Sequence, residues 1–239
     1  MSRGGAWAAG LPSAESLLDR YVEVTGGKAA YENRKSEVAH GTMEFVAQGL
    51  KGKMVRYADA SGLYRMTMDL PGIGTMETGV RDGVAWERSD LMGPRTKTGA
   101  ERAESLREAV LNSISLWRQL FPKVETIGEE TVNGEECYKV AMYPGEGNLE
   151  TLFLSKKSGL AVKLTTVTST QMGDLAAEIL FSGYKNFGGI LTPVKVIERA
   201  AGQEISITLD SVEVNAPIPA DQLEFPADVA ALLGKQKVN

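Results

Sequence analysis

Residues 62–86 alternate in a way that leaves few folds open. From residue 64 to residue 70, the side chains of Tyr64, Met66, Met68 and Leu70 fall on one face of an extended chain. Arg65, Thr67 and Asp69 fall on the other. Strand side chains alternate with period two, so this segment builds a sheet with one apolar and one wet face. Pro71-Gly72 turns the chain, a second run reaches Arg81, and Asp82-Gly83 turns it again just before Trp86. The apolar face is rich in methionine, whose flexible, polarizable side chain suits surfaces that must fit variable acyl chains. Whether core fills that face or a ligand does is the functional question.

The same period recurs on both sides of it. Strands are expected over 37–48, 51–58, 62–70, 75–81 and 84–89, joined by glycine-bearing turns. They resume over 123–131, 136–143, 148–155, 159–169, 176–184, 191–200 and 203–214, with Asn133-Gly134 as the strongest hairpin signal. Helical spacing is confined to two regions. Ser13 is a candidate N-cap for a helix whose apolar face is Leu17, Leu18, Tyr21 and Val22, stopped by Gly26-Gly27, with a short second turn over 28–35. Leu106, Val110, Ile114, Trp117 and Leu120 predict a second helix over 99–121, ended by Pro122. Residues 91–98 read as loop.

These twelve runs are read as a sheet of about ten or eleven strands, and open sheets rarely exceed roughly ten without curling. The expected fold is therefore α+β, mainly β: a strongly curved antiparallel half-barrel with helices covering its concave face. It is read as one domain over 12–228. Residues 1–11 and 229–239 are read as flexible ends, the latter with a short helix near 229–233 and a polar tail.

Composition excludes several functions. The formal net charge is -5 and there is no basic run, which argues against a nucleic-acid partner. No apolar stretch is long enough to span a membrane. Cys137 is the only cysteine, so no intramolecular disulfide forms, which leaves the compartment open. With no cationic neighbour in view, its thiol reads as inert. His40 is the only histidine, which excludes a two-histidine metal site or a triad of the usual kind. Gly72-Ile73-Gly74 lacks the strand-to-helix context of a phosphate loop. No nucleophile–base–orienter set can be assembled. The expectation is a chain with no cofactor, no metal and no enzymatic activity. At the amino terminus, Ala6-Trp7-Ala8 fits a signal-cleavage pattern without the apolar region that should precede it. An export signal outside this sequence, a protein that is not exported, and a tag scar are all compatible with that.

In their order, the motifs resemble the LolA/LolB-like lipoprotein-carrier superfamily. An amphipathic helix precedes a strand meander, and Leu63-Tyr64-Arg65 leads to a proline turn. Asp82-Gly83-Val84-Ala85-Trp86 is similar to the superfamily's D-G-x-x-W element. Asn215-Ala216-Pro217-Ile218 with Phe225-Pro226 is similar to its closing N-x-P motif. Thr25-Gly26-Gly27-Lys28 looks closer to an outer-membrane lipoprotein-sorting-like branch. The resemblance spans roughly 13–228, and no lipobox cysteine stands near the amino terminus.

The resemblance implies a half-barrel sheltering an apolar ligand, lipid or lipoprotein acyl chains, in the periplasm or cell envelope if the gene encodes an export signal. A lipid or acylated protein is the implied partner, with an envelope protein as a further one, and a monomer is expected. The expected lining is Met43, Phe45, Tyr64, Met66, Met68, Met76, Trp86 and Trp117, with Trp86 closing one end of the cavity and Trp117 plugging it from the lid helix. Arg65 reads as a solvated surface arginine, while the resemblance implies a role for it as a tether of the lid. The competing expectation is a structural or interaction module with a fully packed core, in which 91–98 contacts a protein partner.

Overall fold

The computed structural model describes residues 10–170 and 173–236. Ser13 caps helix α1 (Ala14–Val24), its hydroxyl accepting from the Ser16 N–H at 3.2 Å. Gly26 and Gly27, at φ 146° and 76°, turn the chain into α2 (Gly27–Asn33). A Cβ on Gly26 would stand 2.5 Å from the Gly189 carbonyl oxygen, so space and backbone both require glycine there.

Six strands follow as a meander: β1 (Ser36–Phe45), β2 (Leu50–Asp59), β3 (Tyr64–Leu70), β4 (Gly74–Arg81), β5 (Val84–Ser89) and β6 (Gly93–Thr96). After α3 (Gly99–Glu108) and α4 (Trp117–Leu120) come β7 (Lys123–Val132), β8 (Glu135–Tyr143), β9 (Glu150–Ser155), β10 (Ala161–Thr170) and β11 (Gly173–Ser182). Next are β12 (Lys185–Phe187), β13 (Ile190–Thr192), β14 (Lys195–Ala200), β15 (Gln203–Val214) and α5 (Ala227–Gln236). The Asp82-Gly83 and Asn133-Gly134 turns hold both residues at positive φ, as hairpins of this twist require.

The main sheet is antiparallel and open, with thirteen strands in the order β6-β5-β4-β3-β2-β1-β15-β14-β11-β10-β9-β8-β7. Its curvature follows from one connection. Arg95 of β6 pairs with Glu101 in the first turn of α3, and Arg107 in its last turn donates to Glu150 of β9 at 2.8 Å. Ten residues of helix reach about 15 Å. From β6 to β9 there are ten strand spacings, about 48 Å if flat. The sheet must curl toward α3, which makes the α3 side concave.

Three apolar clusters lie on that concave face. Leu17 and Leu18 of α1, with Trp117 and Phe121, pack on Val140, Leu152 and Leu154. Leu106 and Ala109 pack on Val80, Ala85 and Tyr64. Between them Ala39, Met43, Met54, Met68 and Leu209 form the centre.

Four expectations are corrected. The 99–121 helix is broken: Asn112 takes a left-handed conformation at φ 66° and a 3-10 turn follows at Ser113–Leu116. The Asn112 carboxamide donates to the Tyr31 and Arg34 carbonyls at 3.0 and 3.1 Å, capping the carboxyl end of α2. Residues 93–96 pair as an edge strand, where Pro94 costs no ladder bond. The 191–200 strand splits at Pro193 into β13, paired with β12 in a separate hairpin, and β14. Residues 227–236 form a helix with Val229 fully buried, not a loose end. The remaining expected flexible stretches, 1–9 and 237–239, lie outside the described residues. No helix among the described residues is long and apolar enough to cross a membrane.

Candidate functional site: the concave groove

Register decides which side chains meet. Arg56 pairs with Ala39 and Met66, Met54 with Gly41 and Met68, and Ala58 with Glu37 and Tyr64. Directly paired residues share a face, so Glu37, Ala39, Met43 and Phe45 join Met54, Arg56, Tyr64, Met66 and Met68 on the concave side. The same parity carries through β15 and β14, placing Ile205, Ile207, Val196 and Glu198 beside them.

The central part of this face is apolar, and no helix residue joins its cluster among the described residues. Met43, Met54 and Met68 are buried, whereas Phe45, Met66, Ile205 and Ile207 are only half-buried. Across β11 and β10, Ile179, Phe181 and Leu164 are half-buried as well. Solvated aliphatic and aromatic surface on a concave floor is what a ligand groove presents.

One end of the groove is polar. Glu37 is buried and accepts from Arg34 at 2.8 Å and from Arg56. Arg34 also donates to Asn112 at 2.6 Å, which holds the 110–112 segment over the triad. These residues, with Tyr64 and Glu108, line a cavity of about 210 Å³. Burial works against the Arg56 charge, but Glu37 more than offsets it and the net shift is upward. Burial pushes the Tyr64 phenol up, and Glu108 adds to that. Glu108 is accessible in the groove yet surrounded by protein, and burial raises its carboxyl against the opposing pull of Lys97. Glu198 on the floor is raised by burial alone.

The folded Glu108 carboxyl titrates above the unfolded one, so its cost is absent below the unfolded value and fully present above the folded value. Glu108→Gln is expected to raise the melting temperature at neutral pH and to leave it unchanged below the ordinary carboxylate range. An equal effect at both pH values in thermal melts would remove titration as the cause.

The structure brings Met43, Phe45, Tyr64, Met66 and Met68 together on the concave face. Met76 pairs with Met68 on the same face but lies at the rim, 41% exposed. Trp86 is elsewhere: it pairs with Gly79, which pairs with Arg65, so all three lie on the convex face. A Cβ on Gly79 would stand 2.6 Å from the Trp86 ring, and Arg65 lies over that ring. Trp117 is buried against α1, donating to Asp19 at 3.3 Å, and belongs to the cluster around Leu17 and Leu18.

Arg65 is no solvated surface arginine. It is buried, bonded to Glu77 at 2.6 and 3.0 Å, and donates to the Asp221 carbonyl at 3.2 Å. It therefore holds the carboxyl-terminal segment against the convex face. Asn215, at φ 60°, accepts from the Lys35 N–H at 2.7 Å and donates to the Asn33 carbonyl at 3.0 Å, so this motif residue ties the end of β15 to α2. Cys137 is fully buried and burial pushes its thiol up.

The polar end was not singled out from the sequence, although a signal was present. Glu37 and Arg56 occupy the apolar register of two strands. A charge in that register has to be paired or face a cavity. Among the described residues, no three metal-ligating side chains gather.

Residues 117–229 match a family described as a domain of unknown function (DUF4412). No curated protein matches the sequence significantly. Among solved structures, a DUF1329 family protein from Desulfovibrio piger is 13% identical with a TM-score of 0.63, covering 90% of this chain and 98% of its own. A Vibrio parahaemolyticus domain described as outer membrane lipoprotein-sorting is 14% identical, TM-score 0.60, covering 88% and 97%. A LolA superfamily protein from Nitrosomonas europaea is 10% identical, TM-score 0.59, covering 90% and 99%. At these identities the likeness is one of fold, and at that level the resemblance expected from the sequence motifs is borne out.

Proposed function

We propose that this chain, which shares the fold of LolA-superfamily and outer-membrane lipoprotein-sorting proteins, binds or carries an apolar ligand on its concave face without acting on it chemically. The observation that carries this is the half-buried strip of Phe45, Met66, Ile205 and Ile207, which no helix joins among the described residues. The ligand class is lipid, or the acyl chains of a lipoprotein. The setting is the cell envelope, provided that the gene supplies an export signal. Binding draws on apolar burial of about 0.8 kcal/mol per methylene, less the cost of association. A cavity of about 210 Å³ is smaller than the roughly 300–1,000 Å³ of drug-sized ligand sites, so a full acyl chain also occupies the open strip.

Protein purified without detergent is expected to retain lipid detectable by native mass spectrometry and to lose it on organic extraction. Delipidated protein should then take up a fluorescent acyl probe in a saturable way, with Met66→Asp weakening uptake at least tenfold. Absence of both retained lipid and saturable uptake would exclude the carrier role. A protein-docking role is favoured by Leu91 and Met92, which are 78% and 82% exposed at the β5–β6 turn. It predicts a stoichiometric partner whose binding is lost in Leu91→Ser/Met92→Ser with lipid uptake unchanged.

A further inference from the structure

The polar end and the apolar strip of the groove are contiguous. Arg56 on β2 stands directly beside Met66 on β3 and two residues from Met54 on the same face. Its only hydrogen-bond partner among the described residues is Glu37, engaged through one terminal nitrogen. The side chain is 31% exposed and lines the cavity, and no acceptor among the described residues takes its remaining donors. Tyr64, one strand over, is equally uncommitted: among the described residues its hydroxyl makes only a long contact of 3.8 Å to the Met66 sulfur. Two donors with no full complement of acceptors, at the head of a strip of half-buried methionine, phenylalanine and isoleucine, match a molecule with an acceptor at one end and a chain at the other.

We infer that the groove takes an anionic amphiphile, a carboxylate or phosphate head held by Arg56 and Tyr64 with the chain along Met66 and Phe45. This rests on the carrier function proposed above and narrows its ligand class. A guanidinium pairs best with carboxylate or phosphate, and such charge-assisted bonds are about twice as strong as neutral ones. Glu37 cancels one of the two charges of Arg34 and Arg56, leaving the triad with one net positive charge. Glu108 lines the same cavity, where burial works against its charged form. A neutral ester head can accept one hydrogen bond from Arg56 but offers its guanidinium no opposite charge, so the bond is the weaker kind.

The test compares cis-parinaric acid with its methyl ester on the delipidated full chain, by fluorescence titration. The acid should bind about tenfold tighter than the ester. Arg56→Gln should remove the preference for the acid, bringing it to the affinity of the ester. Because Arg56→Gln removes a partner of buried Glu37, Tyr64→Phe is measured alongside it. That variant keeps the packing and should lose part of the same preference. Inorganic phosphate at millimolar concentration should not displace the acid.

Equal affinity for acid and ester in the wild type would overturn the head-group assignment and leave the carrier function standing. Binding of neither probe would overturn the carrier function itself. Displacement by inorganic phosphate alone would overturn the amphiphile in favour of a small-anion site.

Discussion

Glu77→Ala is expected to destabilise the protein by about 3–5 kcal/mol, the range for removing one partner of a buried ion pair. At roughly 2–4 °C per kcal/mol for a chain of this size, the melting temperature should fall by roughly 6–20 °C. Glu77 is buried and accepts from Arg65 at 2.6 Å and from Arg88 at 2.7 Å. Without it, buried Arg65 keeps only the Asp221 carbonyl, and Arg88, whose Nε already lacks a partner, keeps only Asp228 at 3.3 Å. The double variant Arg65→Met/Glu77→Leu should lose less than Glu77→Ala, because the charge of buried Arg65 is no longer stranded and only Arg88 loses a partner. Thermal and denaturant melts of the three proteins decide. A loss below about 1 kcal/mol in Glu77→Ala would mean that the pair behaves like an exposed one.

Trp117→Ala is expected to cost about 3–5 kcal/mol, as large aromatic truncations in cores do. Its ring is 3% exposed against Leu17 and Leu18, and Asp19 accepts its indole N–H while also binding Arg118 at 2.7 and 2.8 Å. The variant removes the piece that fixes α1 to the sheet. Affinity for an acyl probe, measured on the folded population, should stay within about twofold of wild type. A tenfold loss of affinity with unchanged stability would instead put Trp117 in contact with ligand.

What could be read from the sequence was what neighbours along the chain decide. Asp82-Gly83 and Asn133-Gly134 set their turns locally, and the alternation of Tyr64, Met66 and Met68 set their face. Trp86 was misplaced because its face depends on pairing across a turn and on a distant cover. Ala85, Glu87 and Ser89 look like the wet side of β5, yet Ala85 is the residue under α3. Trp86 is buried on the convex side, where the carboxyl-terminal segment, more than a hundred residues later, docks through Asp221 and Asp228. A strand covered on both faces loses the simple alternation that reveals orientation. Arg65 was misread for the same reason. The break at Asn112 was hidden because the apolar spacing on either side of it is helical, while the bonds that enforce it go to α2.

The helix that joins the two arms has a mechanical consequence. The sheet is a bow and α3 its string, anchored by Arg95–Glu101 at one end and Arg107–Glu150 at the other. The length of a bowstring fixes the bend of everything it spans. The width of the groove is thus not a property of its lining residues alone. It is shared by every strand from β6 to β9 in sheet order, and slackening either anchor is expected to widen the groove along its whole length, where an enlarged side chain on the floor would narrow it at one point only.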